Sequence, residues 1–206
     1  MIVYPRPAGI APDLVQPVVG YRLWRLDEDG LWSPYIAERW KRGVHTAVCR
    51  AEDAAHDDAV PGHDCTCGIY AWYEPCLILG WAATRHLVAG AVALWGEIEL
   101  HPFGMRARQA MVVALAVPPW RGTKWRRIMN VARDLDVDAV PARRVKAEAL
   151  RHGAPVPPGM APKPRATRVG YAVDQHLGAS AGPGWRASSL ITSARRRADA
   201  SPRSPD

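Results

Sequence analysis

Hydrophobic and polar positions divide the chain into short alternating runs, one polar gap and a long polar end. VVGYRLWRL (18–26) mixes β-branched and aromatic residues and stops at the polar DEDG, which predicts a strand followed by a turn. LWSPYIAERWKRG follows as a short strand or turn ending at Gly43, and VHTAVC (44–49) reads as a strand delivering Cys49 into a loop. Residues 50–64 have no apolar period and are predicted to be that loop; CTCGIYAWY (65–73) leaves it as a strand. Pro75 suits a first helical turn, and CLILGWAATRHL (76–87) continues it as a largely buried helix, with Cys76 a core residue and Gly80 a weak point.

VAGAVALWGEIELH (88–101) is predicted to be a long strand or strand pair. Past Gly96, Ile98 and Leu100 fall on one face and Glu97, Glu99 and His101 on the other. Gly90 and Gly96 suggest a bulge or a close backbone approach. PFGMR turns the chain, and QAMVVALAV (109–117) is a further strand stopped by Pro118 and Pro119. Thr123 is placed as the cap of a helix reaching Leu135, with Trp125, Ile128, Val131, Ala132 and Leu135 along one side. Pro141 opens a second short helix with Val145, Ala149 and Leu150 inward and Gly153 behind it. The expected class is α+β: a mostly antiparallel sheet of five or six strands, one helix after a metal-pinned loop, and two C-terminal helices.

Composition changes this picture at the ends. Residues 1–17 are Pro-rich and read as an extended arm, ahead of a domain over 18–153. Residues 155–206 hold eight of the 19 prolines and run through Arg195, Arg196 and Arg197; a stretch this polar buries too little apolar surface to order itself, so 154–206 is expected to be a disordered basic tail. The net charge is +7, distributed as −3 over 1–118, +5 over 119–154 and +5 over 155–206. The positive field of the C-terminal half favours an acidic partner, nucleic acid or a protein complex that handles it. No signal peptide and no membrane span are recognisable, and a cytoplasmic protein is expected.

In a reducing compartment, clustered cysteines point to a metal before a disulfide. All four lie within residues 49–76. The candidate ligands are Cys49, His56, Cys65 and Cys67, with His63 in reserve for the imidazole place and His45 and Cys76 further off. Three thiolates and one imidazole fill a tetrahedral zinc shell with protein, the pattern of a structural site. Such an ion would order a 15-residue polar loop, because metal binding contributes folding free energy directly. Asp57, Asp58 and Asp64 are possible acceptors for an imidazole N–H.

Enzyme fingerprints are missing: no His-x-Glu with Pro-Cys-x-x-Cys, no His-Glu-x-x-His, no P-loop and no Gly-x-Ser-x-Gly. What remains for catalysis is Glu97, His101 and Arg106, a carboxylate–imidazole pair with an anion-binding arginine. The same pattern suits a solvated sheet face, or a hairpin ion pair from Glu97 or Glu99 to Arg106. Trp125 sits among Arg121, Lys124, Arg126 and Arg127, and Trp120 lies beside them; aromatics interleaved with cations suit nucleic acid, and equally an amphipathic helix with solvated arginines. Two helices joined by DVDAV would make a helix-turn-helix, without the usual glycine in the turn.

Together these motifs resemble a family of small proteins, of no assigned activity, frequent in high-GC bacteria and their phages. The shared pattern is Gly-aromatic-Arg-x-Trp, then Cys…His…Cys-x-Cys-Gly-aromatic-Tyr-Ala, then Trp-Gly-x-x-x-x-His-x-x-Gly-aromatic-Arg-Ala. Here it falls on Gly20 to Trp24, Cys49, His56, Cys65 to Ala71, and Trp95, Gly96, His101, Gly104, Arg106 and Ala107, with Met105 in the aromatic place. The resemblance covers about residues 18–150. It implies a common fold and metal site and brings no activity; the first expectation is a non-enzymatic zinc-stabilised binding or regulatory protein with an acidic partner, and the alternatives are a small enzyme using Glu97, His101 and Arg106 and a phage-borne host-interaction factor.

Overall fold

The strand expected at 18–26 is β1 (Val18–Asp27), and the turn behind it leads into β2 (Gly30–Trp32) and β3 (Arg39–Trp40). The structure is a computed structural model that describes residues 16–28, 30–50, 56, 60–63, 65–80, 82 and 86–163, all within one compact unit. The strand expected at 44–49 shrinks to β4 (His45–Thr46), so Cys49 arrives on irregular backbone. β5 (Ile69–Trp72) starts just after the last cysteine of the loop.

The helix expected over 76–87 is a single turn, α1 (Cys76–Leu79), ending at Gly80. The chain is already extended at Leu87, where β6 (Leu87–Leu100) begins and pairs with Arg25 of β1. An unbroken apolar run serves a buried helix and a strand covered on both faces equally well. Cys76 is exposed at the start of that turn and is not a core residue.

β6 and β7 (Gly104–Val117), each 14 residues long, form an antiparallel hairpin at the centre of the sheet. One edge of β7 lies along β6; the other takes β5, β4 and β8 (Asp138–Pro141) in turn. β1 pairs with β6 and, at Tyr21, with β5, so the pairings close a ring β1–β6–β7–β5. All eight strands, more than the five or six expected, belong to one sheet; β7 with β8 is its one parallel pair among the named strands. The class is α+β with a mostly antiparallel sheet.

Alternate residues of the central strands feed two cores. Trp24, Val92, Leu94, Val112 and Leu115 face α2 (Thr123–Leu135), which contributes Ile128, Val131, Ala132 and Leu135. Tyr21, Ala89, Ala91, Ala93, Val113 and Ala114 face Ile78 of α1 and Val145 and Ala149 of α3 (Val145–Ala149). Small residues on the second face let α3 lie close to the sheet.

Three expectations for this end of the chain change. Gly122, not Thr123, is the N-cap of α2, and it makes no side-chain cap. The DVDAV segment holds β8, so the unit is strand–helix–parallel strand and not helix-turn-helix. Leu150 is exposed, because α3 ends at Ala149. Ala154 bridges Val18, donates its N–H to the Pro17 carbonyl and accepts from the Val19 N–H, so the described fold continues past Gly153, and the described residues run to Lys163; Arg195, Arg196 and Arg197 and the N-terminal arm before Gln16 lie outside the described residues. No helix among the described residues is long and apolar enough to cross a membrane.

Gly90 has a packing reason to lack a side chain: a Cβ there would sit 2.2 Å from the Ala114 carbonyl oxygen across the hairpin. Gly90→Ala is expected to lower unfolding free energy by about 1–3 kcal/mol in urea titrations. Gly80→Ala, with open space around it and a helical φ, is expected to be neutral or stabilising by about 0.5–1 kcal/mol.

Candidate metal centre

The sheet positions the cysteine loop through one bulge. Gly96 adopts φ +76°, and the β6–β7 register shifts between Trp95 and Ile98. The extra residues leave Glu97 exposed and return Glu99 to a buried position opposite Arg106. Glu97 and Glu99 therefore do not share a wet face, as simple alternation implied.

Glu99 and Arg106 form a buried ion pair, with Arg106 Nε 3.0 Å and Nη2 2.5 Å from Glu99 Oε2. His101 Nε2 lies 3.2 Å from the other oxygen, Glu99 Oε1. The remaining guanidinium donors go to the loop: Nη2 to the Gly62 carbonyl at 2.9 Å, and Nη1 to the carbonyls of Cys67 at 3.0 Å and of Cys65. Arg106, 3% exposed, is thus consumed by one carboxylate and three main-chain oxygens. These contacts suit a buried brace, with the guanidinium donors taken by groups of the chain itself. Two surface clefts, one lined by Arg22, Ser33 and Trp40 and one by Leu31, Arg39 and Asp134, include none of Glu97, His101 or Arg106.

Above this brace Cys49, His56, Cys65 and Cys67 converge, their ligand atoms all within 4.8 Å of one another. Cys49 Sγ is 3.6 Å from Cys65 Sγ, and Cys67 Sγ is 3.6 Å from His56 Nε2. Two sulfurs about 2.3 Å from one tetrahedral ion stand about 3.8 Å apart, and a sulfur and an imidazole nitrogen about 3.6 Å. The observed spacings match a shared metal; a disulfide would need about 2.05 Å. The four residues thus form a group able to hold a metal ion.

His63, the reserve ligand, is exposed and stands outside this group. His45 is elsewhere too, stacked on Trp40 at 4.3 Å. Asp57, Asp58 and Asp64 lie outside the described residues. Gly62 carries a signal that sequence spacing did not: a Cβ there would sit 2.3 Å from the His56 ring, and its N–H donates to Cys67 Sγ at 3.1 Å. Gly68, at φ +117°, turns the chain from Cys67 into β5 with its Cα against Pro61 and Arg106.

Burial pushes the Cys65 and Cys67 thiols up, and their hydrogen bonds divide them. For Cys65, burial is outweighed by hydrogen bonds with His56, the Cys67 backbone and the neighbouring thiols, and its pKa falls to about 7. Cys67 rises to about 11, from burial and from the charge of Cys65 and Cys49 against it. Thiols packed this closely resist carrying several negative charges together, and a divalent cation relieves that repulsion.

The cationic surface expected on α2 is smaller than its sequence. Trp125 is half-buried against the first core, with Arg121 over its ring at 5.5 Å. Lys124 donates to the Ala82 carbonyl, and burial lowers its pKa. Arg127 pairs with Glu28 at 3.2 Å. Trp120, 65% exposed, with Arg121 and Arg126 makes up the outward part.

Compared with known protein families, curated proteins and solved structures, the chain matches none.

Truncating Arg106 strands the Glu99 carboxylate and three carbonyls, so Arg106→Ala is expected to cost about 3–5 kcal/mol in chemical denaturation. Glu99→Gln keeps the volume and is expected to weaken metal affinity about 10–100-fold in a chelator competition, with the four candidate ligands intact.

Proposed function

We propose that this is a zinc-stabilised binding protein without a catalytic role, whose partner is acidic: nucleic acid or a complex that handles it. The observation that carries the reading is the closed donor set. Three thiols and one imidazole complete a tetrahedron, leave no position for water or substrate, and suit zinc through their softness. The ion's contribution is then to folding: it ties the irregular backbone at Cys49 to the loop before β5.

Charge and surface support the partner class. Trp120, Arg121 and Arg126 project beside the start of α2, whose first turn holds no acidic residue. An exposed indole flanked by guanidinium groups offers a base a stacking face and a phosphate a counter-charge. The residues that carry the resemblance to the small bacterial and phage proteins are also the ones that build the centre, among them Gly68, Gly96, Glu99's partner Arg106 and the four ligands, and we take the chain to belong with them.

Elemental analysis is expected to find about one zinc per chain, lost together with the fold in the Cys65→Ser, Cys67→Ser variant. A stable wild-type protein free of metal would refute the reading. Binding to a labelled 30-base-pair duplex is expected to weaken linearly in log–log plots against salt, with Arg126→Gln reducing the slope magnitude by about 1. Affinity independent of salt would remove nucleic acid as the partner.

A further inference from the structure

Arg22 of β1 carries a second, separate feature. Its guanidinium donates through Nη1 to the Tyr70 carbonyl at 2.5 Å and through Nη2 to Ser33 Oγ at 3.2 Å, and lies 5.1 Å from the Trp40 ring centroid. Nε is buried with no hydrogen-bond partner, and no carboxylate among the described residues approaches the side chain within 4.0 Å. A part-buried cation with no carboxylate at ion-pair distance is poorly compensated, and burial lowers its pKa to about 10 against the opposing pull of Tyr35 and Glu38. This places Arg22 apart from Arg106, whose fork is saturated.

The guanidinium lines a cleft of about 50 Å³ whose walls include Ser33, Ile36, Glu38, Trp40, Val48 and Gly68. At about 10–15 Å³ for each water-sized group, the space takes roughly three or four heavy atoms. That fits one carboxylate and excludes a cofactor or metabolite, whose sites measure about 300–1,000 Å³. At the mouth Ile36 is 43% and Val48 72% exposed, with Tyr35 beside them at 42%, an apolar rim around a part-buried charge. Tyr35 also faces Arg22 electrostatically. Glu38 shares the cleft but is turned toward Arg50 at 3.7 Å and His45 at 3.9 Å. With Arg22 and Arg50 against Glu38, the local balance is positive; a dianionic phosphate would meet more repulsion from Glu38 than a carboxylate.

We propose that this cleft is an anchor pocket for one carboxylate of a partner polypeptide, an Asp or Glu side chain flanked by apolar residues that cover Ile36 and Val48. An incoming carboxylate supplies the close ion-pair partner that the Arg22 guanidinium lacks, and the rim gains apolar contact: a charged anchor inside a near-neutral ring. Val48 precedes the ligand Cys49 and Gly68 follows Cys67, so the segments that carry the metal ligands also form two walls of the pocket. The pocket is independent of the α2 surface, and nucleic-acid binding can fail without touching it.

The test uses the zinc-loaded full chain, ¹⁵N-labelled, titrated with acetyl-Leu-Glu-Leu-amide and with acetyl-Leu-Gln-Leu-amide. The acidic peptide is expected to shift the Arg22 Nε–H and Trp40 indole signals to saturation, about tenfold tighter than the neutral one. Arg22→Gln is expected to abolish the difference. Ile36→Glu, a change on the exposed rim that leaves the core alone, is expected to weaken the acidic peptide about fivefold or more with the spectrum otherwise intact, and it decides the matter if Arg22→Gln does not fold. Equal responses to both peptides, no response up to about 10 mM, or inorganic phosphate binding as tightly as the acidic peptide would each overturn the proposal.

Discussion

One guanidinium joins the two halves of the structure. Arg106 takes the Glu99 carboxylate on its own sheet and the carbonyls of Gly62, Cys65 and Cys67 from the loop above. Those carbonyls belong to backbone outside any strand ladder, and buried carbonyls without donors are expensive. A planar fork with five donors serves several of them from one side chain, which lysine could not do. The proposed ion and the arginine then divide the work: the metal collects side-chain tips, and Arg106 collects main chain.

The arrangement depends on register. Glu99 and Arg106 are direct cross-strand partners, and they fall inward because the bulge at Gly96 and Glu97 resets the alternation of β6. A strand without that bulge would keep Glu97 and Glu99 on one face, bring Ile98 opposite Arg106 and leave Arg106 buried without its carboxylate. Gly96 is therefore coupled to the cysteine loop through the strand register.

This coupling also explains what could be read from the residues and what could not. β1, β6, β7 and α2 were legible because each carries a long apolar pattern with a clear stop, and the ligand set was legible because thiols are few and their spacing is chemical. The choice between His56 and His63 was not, since both sit in the same polar loop; it turns on the Gly62 backbone packed against the His56 ring. The short α1 and the strand at 138–141 were misread for a common reason. Residues 76–95 are apolar in either conformation, and whether a segment joins a sheet depends on a free strand edge far away in sequence: Arg25 for Leu87, and Ala114 to Val117 for β8. Likewise Glu99 and Arg106 look like surface residues until the loop that covers them is in place.

Arg106 and Arg22 make opposite uses of the same chemistry. Arg106 has spent its donors on groups within its own chain, so its burial is a structural investment and its face is closed. Arg22 is only part-buried between β1, Tyr70 and Trp40; it holds two neutral acceptors and lines a cleft that opens on an apolar rim. If folding alone had shaped that position, a neutral side chain of similar volume would avoid the desolvation of a charge. A guanidinium left short of acceptors at a surface opening gains most from an anion brought by something else. Size restricts that anion to a single carboxylate, and the surrounding Tyr35, Ile36 and Val48 favour one carried on a polypeptide with apolar neighbours.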